Sequence, residues 1–117
     1  MAAPASLPEF QGNVVAVQTA PFWADDLAAL QQRMEKFNAK MQQEAKKDPS
    51  QSRAARDAAH TQAMAETFTP EELKRLKSGV SNGGYHYLGA ARIMAPIGKA
   101  FAEAMVKLQQ TKAQENP

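Results

Sequence analysis

Gly12-Asn13-Val14-Val15-Ala16-Val17-Gln18-Thr19-Ala20-Pro21 is the stretch on which the fold turns. Three valines in four positions favour extended backbone, because β-branched side chains suit a pleated surface. Turn-forming residues bound the run on both sides, which predicts a strand over residues 13–19. Val14 to Val17 are apolar without alternation, the pattern of a strand covered on both faces, as in a parallel sheet. Nothing else in the 117 residues reads as a second strand. A lone strand leaves N–H and C=O groups on both edges that helices cannot pair. Three arrangements fit this oddity. The run belongs to the sheet of a larger α/β protein, it docks onto a partner, or it is a buried extended segment packed against the last helix.

Outward from that run the pattern is helical. Met1 to Gly12 reads as an extended, proline-containing lead-in without the basic and apolar regions of a signal peptide. After the run, Leu27, Leu30, Met34, Phe37 and Met41 recur at three and four residues and predict an amphipathic helix from Asp25 to Lys47. Asp25 and Asp26 suit its positive end, Lys46 and Lys47 its negative end. Asp48-Pro49-Ser50-Gln51 reads as the start of a second helix, rich in Ala and Arg, reaching Glu66 with little apolar surface. Thr69-Pro70-Glu71-Glu72 is a capping box, with Phe68 and Leu73 placed for a hydrophobic staple, and the short helix it starts should stop at Ser78-Gly79. A loop over 80–88 and a last helix over 89–110 follow, with Pro96 expected to kink that helix or shift its regular start. The tail from Thr111 to Pro117 is polar and expected to fray.

Composition narrows the functional classes. The chain has room for one small domain, with a core drawn from a 44% hydrophobic fraction weighted to Ala and Met. The formal net charge is +2 and the charges are interspersed, a solvated surface with no basic block for nucleic acid. With no cysteine, disulfides, zinc–cysteine sites and thiol catalysis are excluded. No apolar run reaches the ~20 residues that span a bilayer. Two histidines without clustered acids do not make a metal site, and Gly83-Gly84 is too short for a phosphate loop and lacks its lysine. No cofactor is expected. His60, in a polar helix, is expected to be solvated, and Phe22 and Trp23 to be core or rim residues.

Two blocks carry a family resemblance. One is Leu7-Pro8-Glu9-Phe10-Gln11-Gly12-Asn13-Val14-Val15-Ala16-Val17-Gln18-Thr19-Ala20-Pro21-Phe22-Trp23. The other is Ser81-Asn82-Gly83-Gly84-Tyr85-His86-Tyr87-Leu88-Gly89-Ala90-Ala91, continuing through Ile97-Gly98-Lys99-Ala100-Phe101-Ala102-Glu103-Ala104-Met105. In this order they resemble the C-terminal part of the sialate O-acetylesterase domain, a branch of the SGNH-type carbohydrate esterases. Residues 24–79 correspond to that family's variable helical insertion. The resemblance implies a mainly helical chain with a short strand at 13–19, the end of a three-layer α/β/α fold. It further implies an acetylated carbohydrate as substrate, no cofactor, and a family often exported from the cell.

By that resemblance His86 corresponds to the catalytic histidine. It would take the proton of a serine attacking an acetyl carbonyl, then return it to the leaving sugar hydroxyl. Gly83-Gly84 allows a tight turn that sets the histidine on a loop just ahead of a helix, a usual place for a catalytic group. Two features depart from the family. Gly83 stands where many of these esterases carry an acid that orients the imidazole, and no serine here has the strand-to-helix setting of the nucleophile. Ser81 is close to His86, but on the same short loop. The resemblance therefore implies a chain that is inactive alone. The alternative is a small non-catalytic helical module that uses the Leu27-Met34-Met41 stripe and the unpaired strand to bind a partner or itself.

Overall fold

The computed structural model describes residues 3–115, and the side chain of Glu115 is not part of that description. Its regular structure is α1 (Asp25–Lys47), α2 (Arg53–Thr67), α3 (Pro70–Gly79) and α4 (Ala91–Glu115), with single 3-10 turns at Ala3–Ser6, Pro8–Phe10 and Ala20–Phe22. The chain divides into two units. One holds the chain up to Trp23 together with the segment from Ala91 onward, and the other holds Ala24–Ala90.

The expected strand at 13–19 is not formed, and among the described residues there is no strand at all. Without a sheet there is no three-layer α/β/α arrangement. The reason is the missing ladder. Val14 N–H donates to the Phe10 carbonyl oxygen at 3.0 Å, but Val15 to Gln18 donate no backbone hydrogen bond among the described residues. Valine's preference for strands is mostly a preference for a packed pleated surface, and it does not create one where no second strand exists. Val14 and Val15 are exposed rather than buried. In the same unit, Val14, Val15 and Val17 line a groove of about 350 Å³ with Phe101, Ala104, Met105 and Leu108 of α4. The lead-in also differs from expectation: its described part coils into the two 3-10 turns, while Met1 and Ala2 lie outside the described residues.

The Ala24–Ala90 unit is built on α1, and α1 takes the bounds that its periodicity predicts. Leu30 and Phe37 on its inner face are buried with Phe68 and Leu76, and Met34, Met41, Ala63, Met64, Leu73 and Val80 pack on that cluster. The methionines thus serve as core filler. The Phe37 ring meets Phe68 and His60 edge-on, with centroids 5.6 and 5.3 Å away. His60 is therefore a packed residue, contrary to the expectation that it is solvated.

The capping box at α3 is complete. Thr69 Oγ1 accepts from Glu72 N–H at 3.2 Å, and the Glu72 carboxylate accepts from Thr69 N–H at 2.9 Å. Phe68 is buried and Leu73 packs on the same cluster, as a staple requires. Arg33 of α1 ties these pieces together. It pairs with Glu72, donates to the Thr67 carbonyl oxygen at 3.1 Å, and lies 5.1 Å from the Phe68 ring centroid. Arg75 pairs with Asp26, a second tie between α3 and α1.

Two further boundaries are corrected. Ser52 caps α2, accepting from Ala55 N–H at 3.2 Å, while the Asp48 carboxylate instead accepts from the Ser50 hydroxyl and N–H. The cap thus falls four residues later than Asp48-Pro49 suggested. The last helix begins at Ala91 and runs through Pro96 to Glu115. It takes in most of the tail expected to fray, whose last residues Asn116 and Pro117 lie outside the described residues.

Candidate active site

His86 stands at the start of a turn of unusual hand. His86, Tyr87 and Leu88 have φ of 47°, 55° and 62°, and Gly89 follows at 59°. L-residues pay about 1–2 kcal/mol each in the left-handed region, which they ordinarily visit singly. Three in succession persist only where surrounding bonds over-determine them. Those bonds come from the segment just after α3. Ser81 and Asn82 N–H both donate to the Leu88 carbonyl oxygen, at 3.0 and 3.2 Å, and Ala90 N–H closes the turn on the Tyr87 oxygen at 3.1 Å. The Ser81 hydroxyl donates to the Gly89 carbonyl oxygen at 2.8 Å. Leu88 is buried and anchors the turn, while His86 and Tyr87 before it are exposed.

The two glycines singled out in the sequence do different things. Gly83 is left-handed, with φ of 54°. At Gly84 the absent side chain leaves room for the Glu35 carboxylate, whose Oε1 lies 3.0 Å from the position a Cβ would take. Gly89, not singled out, is the most constrained of the three. A Cβ there would lie 2.1 Å from Ser81 Oγ and 3.1 Å from the Asn82 backbone nitrogen.

The result is an exposed imidazole on a clamped turn, beside Tyr85, which is 74% exposed. Among the described residues the imidazole of His86 makes no hydrogen bond or ion pair. Among the described residues no carboxylate pairs with it, and position 83 is glycine. Four of the five serines are used elsewhere. Ser50 donates to Asp48, Ser52 caps α2, Ser78 donates to the Lys74 carbonyl oxygen, and Ser81 is tied to Gly89. None of these four pairs with His86, so the chain assembles no Ser–His dyad among them. Trp23, expected as a core or rim residue, is 41% exposed.

Among the described residues there is no group of three potential metal-ligating side chains, and no helix is long and apolar enough to cross a membrane. No family model, curated protein or solved structure matches the chain.

Proposed function

We propose that this chain supplies the general-base histidine, His86, of a serine esterase that removes O-acetyl groups from carbohydrates of the sialic acid kind. The nucleophilic serine then lies in sequence other than these 117 residues. The observation that carries the reading is the clamped left-handed turn, which presents an unpartnered imidazole at the surface. Backbone held in a costly conformation gathers at functional sites, where the surrounding structure maintains it. The two sequence blocks that resemble the esterase family supply the substrate class and the role.

In the reaction the imidazole accepts the proton of the serine hydroxyl as its oxygen attacks the acetyl carbonyl. It then donates that proton to the departing sugar oxygen, leaving an acetyl-serine. Water activated by the same imidazole releases acetate. An exposed, rigidly mounted histidine suits both proton transfers, because it can meet a serine brought to it from elsewhere.

A second reading, a non-catalytic interaction module, is favoured by the apolar groove between residues 13–17 and α4. There Val15 is 45% and Phe101 50% exposed. The Leu27-Met34-Met41 stripe does not contribute, because Leu27 is buried and both methionines pack on the core.

The test is to express the gene from its own reading frame and treat the product with a fluorophosphonate serine-hydrolase probe. Labelling of a serine that His86→Ala abolishes supports the esterase. Absence of labelling, or labelling indifferent to His86, overturns it and leaves the module.

A further inference from the structure

We infer that Ser81 is a positioning residue for His86, acting through Gly89, and that the pair forms a clip whose hydroxyl bond fixes the hand of the turn that carries the imidazole. The inference rests on the esterase reading for its catalytic meaning, but its structural half stands on geometry alone. The turn has four consecutive residues at φ between 47° and 62°, only the last of them glycine. Left to itself, such a segment relaxes to ordinary negative φ, because the left-handed region is sterically unfavourable for each non-glycine residue. Of the bonds that oppose relaxation, the two backbone donations to the Leu88 oxygen depend on no particular side chain. The Ser81 hydroxyl, by contrast, is a side chain that bonds the turn's backbone directly. It does so at Gly89, the last residue of the turn.

Gly89 answers to this bond. A side chain there would occupy the place of the Ser81 oxygen, so the hydroxyl and the glycine are two halves of one contact. The clip spans most of the loop, from Ser81 to Gly89. With it closed, Gly89 is held to Ser81 and the left-handed run from His86 to Gly89 is tied at its end. With it open, only the backbone bonds to the Leu88 and Tyr87 carbonyl oxygens oppose relaxation of His86 to Leu88, and the imidazole leaves more readily the position from which it meets a serine. Misplacement of a catalytic group by about 1 Å costs on the order of 100-fold in rate.

The experiment uses NMR on the whole 117-residue chain and turnover by the product of its natural reading frame, each with Ser81→Ala and Ser81→Thr. A strong intraresidue amide-to-Hα NOE reports positive φ. We expect it at His86, Tyr87 and Leu88 in the wild type and in Ser81→Thr, which keeps the hydroxyl, and expect it lost in Ser81→Ala with α1 and α3 resonances unmoved. In turnover, Ser81→Ala should lower kcat by about 10–100-fold at little-changed KM, with Ser81→Thr restoring most of it. NOEs that persist in Ser81→Ala overturn the clip. Turnover that depends on His86 yet is indifferent to Ser81→Ala overturns the positioning role and leaves the esterase reading standing. Loss of the NOEs in a product with no esterase activity does the reverse: the clip holds and the esterase reading fails.

Discussion

Ser81 Oγ lies 2.8 Å from the Gly89 carbonyl oxygen it donates to, and a Cβ on Gly89 would come within 2.1 Å of that same Oγ. This relationship separates two glycines that look alike in sequence. At Gly84 the atom in the way is the end of a flexible Glu35 side chain, which can swing aside. At Gly89 the obstruction includes the Asn82 backbone nitrogen, and the residue itself is left-handed. Gly84→Ala should therefore shift the unfolding midpoint only slightly. Gly89→Ala should lower it further and disturb the amide resonances of residues 81–90. Equal effects in thermal unfolding would contradict this assignment.

The core of the Ala24–Ala90 unit centres on Phe37, which is buried and meets two other rings edge-on. Phe37→Ala should cost about 3–5 kcal/mol in urea unfolding followed by helical circular dichroism. Met41→Ala, at the margin of the cluster, should cost less. A Phe37 variant as stable as wild type would show that this cluster does not hold the unit together.

The capping box gives a pH dependence with a definite sign. The Thr69 N–H donated to Glu72, and then the Arg33 guanidinium, hold the Glu72 carboxyl below the usual carboxylate range. A group depressed on folding stabilises the protein above its unfolded pKa of about 4.3 and loses that contribution as pH falls through the folded value. Stability should thus drop on acidification below that unfolded value, and Glu72→Gln should shrink the drop. Thr69→Ala should cost about 1 kcal/mol at neutral pH. A Glu72→Gln variant with an unchanged acid profile would remove Glu72 from the account.

These elements were legible because their signals are local. The three-and-four spacing of Leu27, Leu30, Met34, Phe37 and Met41 needs only α1 itself, and Thr69 and Glu72 cap within one turn. The start of α2 was misread because Asp48 and Ser52 are both good caps, and Asp48 spends its carboxylate on Ser50 instead. The strand failed for a non-local reason. Val14 to Val17 carry the propensity, but a ladder needs a second strand, and propensity within one segment says nothing of its existence. The position of His86 on a glycine-containing loop was legible. The hand of its turn was not, since Tyr87 and Leu88 are residues for which the left-handed region is unfavourable, and only tertiary bonds place them there.

The absence of a ladder has its own signature in hydrogen exchange. The amides of Val15, Ala16, Val17 and Gln18, which donate to no backbone acceptor among the described residues, should exchange at rates near those of an open chain, while inner amides of α1 are protected. Val15→Asn should then leave helix stability nearly unchanged, since its side chain is exposed. Strong protection at residues 15–18 would restore a strand.

The proton-transfer role proposed for His86 is tested by hydrolysis of O-acetylated sialic acid by the product of the natural reading frame, wild type against His86→Ala. The wild type should release acetate and the variant should lose at least about 1,000-fold in kcat/KM, the scale on which loss of a catalytic histidine acts. A wild type without activity, or a variant that keeps the wild-type rate, would contradict it.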